Sequence, residues 1–188
     1  MIIKASREHI DAIAAIYESI HDMEEAGRAE IGWIRTIYPT RETAVAALAR
    51  GDLFVQVDGG TVVGAAIINQ IQPDSYRDGK WTVPADDARI MVLHTLVTDP
   101  QHMGHGHGRA FVAFYEQYAM EHGCPVLRMD TNARNRTARR MYAGLGYTEV
   151  DIVPCAFNGI PDVQLVLLQK VLELQNEEMV RPSSQVSG

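Results

Sequence analysis

An apolar strand, a glycine-rich turn and a helix follow one another near the middle of the chain, and this order constrains the fold more than any other feature. Residues 90–98, IMVLHTLVT, form an apolar run typical of a buried strand, and Asp99 and Pro100 end it. Residues 101–109, QHMGHGHGR, then alternate glycine with histidine. From residue 110, AFVAFYEQYAMEH places apolar side chains at helical spacing until Gly123. The pattern predicts a strand that leads through a flexible turn into the start of a helix.

The flanking sequence adds elements on both sides. Before this unit we predict a strand at MIIKA, a helix after Ser6, a second helix between Thr40 and Gly51, and a hairpin of LFVQV and TVVGAAIINQ. After it, PVLRMDT predicts a strand, NRTARRMYAGLG a helix, and YTEVDIVPCAF and VQLVLLQKV two strands around the turn NGIPD. We therefore expect one mixed α/β domain over residues 1–173, with a flexible polar tail at 174–188.

The charge balance and the cysteines limit the class of protein. A formal net charge of −7 argues against nucleic-acid binding, which favours basic faces. Cys124 and Cys155 lack the paired spacing of a zinc site, so we expect two reduced thiols in a cytoplasmic protein. The chain has no apolar run of the length that a membrane helix needs, and we expect no membrane association.

The glycine-rich turn allows two interpretations. His102, His105 and His107 would form a metal site if their rings converged, but flexible glycines separate them and no cysteine or carboxylate cluster accompanies them. Alternatively, the glycines let an anion approach the unpaired N–H groups of the helix start. We favour a phosphate cradle over residues 104–109, with the histidine rings of 105 and 107 turned away and Arg109 adding a charged contact. The same interpretation predicts no metal.

Two motifs together resemble a known family. Residues 93–119 resemble the acetyl-CoA-binding segment of the GNAT superfamily of N-acetyltransferases, in which a strand ends before Asp-Pro and R/Q-x-x-G-x-G/A opens a helix. Residues 135–147 resemble the second signature, N-x-x-A-x-x-x-Y-x-x-x-G-F/Y. The matching residues are Asn135, Ala138, Tyr142, Gly146 and Tyr147. Two motifs in this order are more specific than either one alone.

The resemblance implies a fold and a reaction. The fold is GNAT-like α/β, with a mostly antiparallel central sheet of six or seven strands, about four helices and splayed central strands. The reaction is acetyl transfer from acetyl-CoA to a primary amine in a ternary complex. The implied cofactor-binding residues are Leu96, Val97, Thr98, Met103, Gly104, His105, Gly106, His107, Gly108, Arg109, Asn135 and Ala138. Met103 departs from the family, which usually has Arg or Gln there, but a backbone cradle does not depend on this side chain.

Acetyl transfer needs a proton donor for the leaving thiolate and a proton acceptor for the amine. By resemblance Tyr142 is the general acid, and a core tyrosine on an amphipathic helix is the alternative. The candidate bases are His94, on the strand that enters the cradle, and Asp130, five residues before Asn135. For His94 the alternative is a satisfied histidine among apolar neighbours. For Asp130 it is an ion pair with Arg128, which shares its strand face.

Two long irregular segments, 21–40 and 72–89, are expected to select the acceptor, which is a small-molecule or peptide amine. Each holds a tryptophan, Trp33 or Trp81, that would either flank an amine pocket or pack under its loop. The exposed final strands would allow a homodimer. Two rival functions stay open: an acyl-CoA-binding sensor without catalysis, and a histidine-based metal protein.

Overall fold

The computed structural model describes residues 1–173, and the predicted tail at 174–188 lies outside the described residues. The strands are β1 (Ile2–Lys4), β2 (Leu53–Asp58), β3 (Thr61–Asn69), β4 (Ile90–Thr98), β5 (Val126–Asn132), β6 (Thr148–Phe157) and β7 (Ile160–Val171). The α-helices are α1 (Ile10–Glu25), α2 (Arg41–Arg50), α3 (His107–Glu121) and α4 (Arg136–Ala143). Every predicted helix and strand is present, in the predicted order.

The strands form one sheet in the order β1-β2-β3-β4-β5-β7-β6. Neighbouring strands are antiparallel except β4 and β5, which run parallel. This pair is joined only from Ile90–Leu93 to Val126–Met129, after which the two strands separate. The predicted mostly antiparallel sheet with splayed central strands is therefore confirmed.

A bulge in β4 lies just beyond the point of separation. The register against β3 shifts between the pairs Ala65–Val97 and Ile67–His94, so that two residues of β4 oppose one residue of β3. One of them, Thr95, has a φ of 49°, in the left-handed region that a β-branched residue rarely adopts. A bulge bends its strand and increases the local twist, which accounts for the departure of β4 from β5.

Helices cover the two faces of the sheet. Helices α3 and α4 pack on one face through a cluster that includes Phe111, Tyr115 and Tyr142. On the other face, α1 buries Ile10, Ile13, Tyr17 and Ile20, which recur at helical spacing as the sequence predicts. Beside α1, the segment between β3 and β4 covers the same face through Tyr76 and Trp81.

The turn between β6 and β7 is tighter than the predicted NGIPD loop. It consists of Asn158 and Gly159, whose φ angles are 51° and 81°. Positive φ at both positions is typical of a two-residue hairpin turn, and Asn-Gly is its preferred sequence. As a result, β7 begins at Ile160, and this hairpin end contacts the segment between α1 and α2, where a Cβ on Gly159 would lie 3.1 Å from Ile37 Cγ2.

Candidate active site

The glycine-rich turn forms an open cradle at the start of α3. Gly104 and Gly106 have φ angles of 84° and 79°, a conformation that favours glycine, and Gly106 is the residue before the helix. A Cβ at either position would meet no atom within 4 Å, so the space beside this backbone is empty. The first N–H groups of α3 have no partner within the helix, and its dipole adds partial positive charge. The cradle therefore suits a phosphate group.

The third glycine of the motif has a different role. A Cβ on Gly108 would lie 3.2 Å from the sulfur of Met141, so this glycine lets α3 approach α4 closely. The cavity beside the cradle is lined by both helices, including Arg109 and Arg140, whose charges complement an anion. Met103 also lines this cavity and is 53% exposed, so the residue that departs from the family motif borders the cradle without filling it.

The three histidines of the turn have separate partners. The Nδ1 atom of His102 lies 2.9 Å from Asp99 Oδ2, and His107 Nδ1 lies 3.1 Å from the side-chain nitrogen of Gln56. His105 contacts the backbone oxygen of His102 and lines neither this cavity nor the one between β4 and β5 described below. Within residues 1–173, no group of three or more His, Cys, Asp or Glu side chains is arranged to hold a metal ion.

The gap between β4 and β5 opens into a second cavity, the β4–β5 cavity, of about 330 Å³. Its walls come from the two separating strands, from α4, from the segment between α1 and α2, and from the β6–β7 hairpin. Predicted site residues that line it are His94, Leu96, Val97, Thr98, Met103, Asp130, Asn135, Ala138 and Tyr142. Because Leu96, Thr98, Met103, Asn135, Ala138 and Tyr142 also line the cradle cavity, the two spaces share one wall.

The edge of β4 presents backbone groups to this gap. The N–H of Asp99 donates to the carbonyl of Val63 at 2.9 Å, next to β3. Because the direction of the backbone groups alternates along a strand, the N–H and C=O of Thr98 face away from β3 and into the gap. The pantetheine contacts expected of Leu96, Val97 and Thr98 stay a prediction. By the same alternation, Thr98 is available for such a contact, whereas the backbone groups of Val97 face β3.

Tyr142 lies where the gap meets the cradle. Its ring is buried in the core of the α3–α4 face, edge-on to Tyr147, while the residue lines both cavities. Burial, with a smaller effect from the charge of Asp130, raises the pKa of the Tyr142 hydroxyl well above its usual value. The hydroxyl is therefore protonated at neutral pH, as a proton donor must be.

Asp130 is on β5, on the sheet face opposite α3 and α4. The hydroxyl of Tyr76 donates to Asp130 Oδ2 at 2.7 Å. Burial raises the pKa of Asp130 to about 7, although the Tyr76 hydrogen bond acts in the opposite direction. The alternative of an ion pair with Arg128 is not observed in the described structure, because the Arg128 side chain donates to Gln72 and stacks 4.1 Å from the Trp81 ring.

His94 lines the same cavity but is held by a chain of hydrogen bonds. Asn69 Nδ2 donates to the carboxylate of Asp52 at 2.8 Å, which turns Asn69 Oδ1 toward His94 Nε2 at 3.0 Å. An oxygen in this position requires the proton on Nε2. Burial lowers the pKa of His94 to about 4, so the ring is neutral at pH 7. These contacts favour the alternative of a satisfied histidine over the role of general base.

Asn135 is the residue before α4, and its side-chain oxygen accepts the N–H of Ala138 at 3.1 Å. The side chain thus caps the helix and leaves its amide nitrogen available for another partner. The pantetheine contact expected of Asn135 stays a prediction.

The two long segments have different roles. Trp33 lines the β4–β5 cavity and packs edge-on against Tyr38. Its loop is held by Glu24, whose carboxylate accepts the N–H groups of Ile31 and Gly32 at 2.7 and 2.8 Å. Trp81 is not part of the cavity wall, and its indole N–H donates to the backbone oxygen of Tyr76. Of the two tryptophans, only Trp33 flanks the candidate amine site.

Two tyrosines of the site were not predicted. The Tyr38 hydroxyl is hydrogen-bonded to Thr95 at the β4 bulge, and Tyr76 binds Asp130. Both residues lie in irregular segments, where no periodic pattern shows which side chains face inward. The sequence signal that could have identified them is weak, namely a tyrosine in a long loop of a compact domain.

Comparisons with known proteins agree on the fold. The family model described as "Acetyltransferase (GNAT) family" matches residues 13–147. A GNAT-family acetyltransferase from Streptococcus agalactiae 2603 is 23% identical over 93% of this chain and 96% of its own, with a TM-score of 0.77. A ribosomal-protein-alanine N-acetyltransferase from Brucella melitensis is 20% identical over 92% and 99%, with a TM-score of 0.68.

A further similar structure was solved with its cofactor. It is yncA, a putative acetyltransferase from Salmonella typhimurium with its cofactor acetyl-CoA, which is 20% identical over 93% of this chain and 94% of its own, with a TM-score of 0.65. No curated protein matches the chain in sequence. Across residues 1–173, no helix has the length and apolar character needed to cross a membrane.

Proposed function

Because the chain belongs to the acetyltransferase (GNAT) family, we propose that it transfers the acetyl group of acetyl-CoA to the primary amine of a small molecule or a peptide. The observation that carries this proposal is the common wall of the two cavities. Tyr142 lines both the cradle and the gap between β4 and β5, and Asp130 lines the gap. A proton donor and a proton acceptor thus border the space beside a phosphate site.

The residues present fit acetyl-CoA. Gly104 and Gly106 leave open space beside the first N–H groups of α3, which suits the diphosphate. Arg109 and Arg140 supply positive charge at this cavity. The free edge of β4 at Thr98 offers backbone groups to the amides of the pantetheine arm. When bound, acetyl-CoA supplies a thioester whose carbonyl carbon forms the new bond to nitrogen as the carbon–sulfur bond breaks.

Two side chains move the protons in this proposal. Asp130 accepts the proton that the amine loses, and its pKa of about 7 leaves the carboxylate ionised above neutral pH. Tyr142 donates its hydroxyl proton to the departing CoA sulfur, since burial keeps the phenol protonated. His94 has a pKa of about 4, so a reaction that used it as the base would lose rate only near that pH. In a plot of kcat/KM against pH, the acid limb is the part in which the rate falls as the pH decreases. The pH at which this limb lies therefore distinguishes the two candidate bases.

The size of the cavity supports a small acceptor group. A volume of about 330 Å³ is at the low end for ligand pockets, and the pantetheine arm takes part of it. The walls on the far side of the gap include Trp33, Phe157 and Ile160, which are apolar. A slender amine, whether a metabolite or the end of a peptide, fits the remaining space.

The test is release of the CoA thiol from acetyl-CoA over a panel of primary amines and short peptides. We expect amine-dependent thiol release matched by a mass gain of one acetyl group on the acceptor. Amine-free reactions are the control for thiol release caused by acetylation of Cys155, which is half-buried. Tight CoA binding in calorimetry without thiol release for any amine would instead support an acyl-CoA sensor. Stoichiometric zinc binding with no CoA binding would overturn both functions.

A further inference from the structure

Tyr76 contacts the candidate base from the loop 72–89, which the sequence associates with choice of acceptor. It lies in a short 3-10 turn, Asp74–Asp78, and only 2% of the residue is exposed. Its hydroxyl donates to Asp130 Oδ2, whereas Asp130 Oδ1 accepts no hydrogen bond from any described residue, and Asp130 lines the cavity. One carboxylate oxygen is therefore tied to the loop, and the other is available to an amine.

The loop holds Tyr76 rigidly. The Trp81 ring packs at 5.0 Å from the Tyr76 ring, and its indole N–H donates to the Tyr76 backbone oxygen at 2.8 Å. The side chain of Gln169, on β7, binds the backbone of Thr82 and Val83. These contacts place the Tyr76 hydroxyl at a defined position on the sheet face instead of leaving the loop free to follow a substrate.

We infer that Tyr76 is a positioning residue for acetyl transfer, which holds the Asp130 carboxylate with Oδ1 toward the cavity and favours its ionised form. This inference rests on the proposed function, in which Asp130 is the base. A hydroxyl donor stabilises a carboxylate more than the neutral acid, so its loss would raise the pKa of Asp130 further. It would also free the carboxylate to rotate, because no other described residue binds it.

Apart from Arg128, the other titratable groups near Asp130 are uncharged near pH 7. Tyr38 faces it from the segment between α1 and α2, Tyr142 from α4, and Cys155 from β6, and burial raises the pKa of all three. On β5 itself, Arg128 directs its guanidinium to Gln72 and the Trp81 ring. The ionised form of the Asp130 carboxyl is thus favoured by the hydrogen bond that Tyr76 donates.

The test compares Tyr76→Phe with the native chain in kcat/KM across pH. The phenylalanine keeps the ring packing on Trp81 and removes only the hydroxyl. We expect the acid limb to move up by roughly one to two pH units, as a hydrogen bond to a charged group predicts, with a rate loss of roughly tenfold at pH 7 that diminishes by pH 9. A variant that loses rate equally at every pH would show a merely structural role and overturn the inference.

The matched control is Tyr115→Phe. The Tyr115 hydroxyl lies 2.6 Å from the backbone oxygen of Met91 and 3.1 Å from that of Arg128, which share its one proton, and the side chain packs on the opposite face of the sheet. We expect this variant to unfold more easily without moving the acid limb. An equal movement of the limb in both variants would contradict a specific role for Tyr76.

A second readout does not depend on turnover. The carboxyl carbon of Asp130, labelled with 13C and assigned by its loss in Asp130→Asn, is titrated in the native chain and in Tyr76→Phe. We expect a higher midpoint in the variant, and equal midpoints would overturn the inference even if no acceptor amine were found. A raised midpoint with an unmoved acid limb would also overturn it. Absence of amine-dependent thiol release from the native chain is a separate result, which refutes the proposed function.

Discussion

Asp130 is expected to reduce the stability of the fold, and its replacement by asparagine measures by how much. Burial raises its pKa from 3.8 to about 7 in the folded chain. Below pH 4 the carboxyl is protonated in both the folded and the unfolded states, so it does not lower the free energy of unfolding. Between pH 4 and 7 the folded state retains a proton that the unfolded state has lost, and stability decreases as the pH rises. Above pH 7 the carboxyl is ionised in both states, and the free energy of unfolding is lowered by the full amount.

The size of the effect follows from the pKa difference. Each pKa unit corresponds to about 1.4 kcal/mol, so a difference of about three units corresponds to roughly 4 kcal/mol at pH 8. Asparagine has nearly the same shape, cannot ionise, and its oxygen can still accept the Tyr76 hydroxyl. We therefore expect Asp130→Asn to raise the free energy of unfolding by up to about 4 kcal/mol at pH 8 and by little at pH 4.

Urea unfolding at pH 4, 5.5 and 8, followed by tryptophan fluorescence, gives the difference between the variant and the native chain. All other titrating groups are common to both chains and cancel. Asp58→Asn, which replaces an exposed carboxylate at the end of β2, is the control for the loss of a carboxylate as such. A stability difference for Asp130→Asn that is equal at all three pH values would refute the reasoning. Loss of acetyl transfer in the more stable variant would show that the site trades stability for chemistry.

Three further predictions concern the donor, the cradle and the loop. Tyr142→Phe should lower kcat by roughly 10²-fold with little change in CoA affinity, since proton transfer accounts for rate factors of about this size; an unchanged kcat in stopped-flow assays would remove Tyr142 as the acid. Gly106→Ala should weaken CoA binding in calorimetry and lower the free energy of unfolding by about 1 kcal/mol, because its φ is 79°. The control is Gly27→Ala, at a φ of 66° outside the cradle, which should cost similar stability and leave CoA affinity unaltered. Glu24→Gln removes the charge that holds two backbone N–H groups of the Trp33 loop, so KM for the amine should rise several-fold while KM for acetyl-CoA stays constant; parallel changes in both constants would contradict this.

The order of helices and strands and the place of the cradle were determined by the sequence alone. Apolar periodicity, capping residues such as Thr40 and Gly51, and the Asn-Gly turn are local signals, and each acts through a few neighbouring residues. The position of the glycines after a strand and before a helix likewise predicted an open cradle that suits a phosphate group, because N–H groups at a helix start are unpaired wherever the helix lies. The hydrogen-bond partners of His102 and His107 became visible only in the tertiary structure.

The environments of the two candidate bases were decided only by the tertiary structure. His94 and Asp130 look equivalent in sequence, but His94 is held by Asn69 with its pKa lowered to about 4, while Asp130 meets Tyr76 with its pKa raised to about 7. Tyr76 is 54 residues away from Asp130 along the chain. Proton affinity depends on burial and on contacts between such distant segments, and a local pattern contains neither.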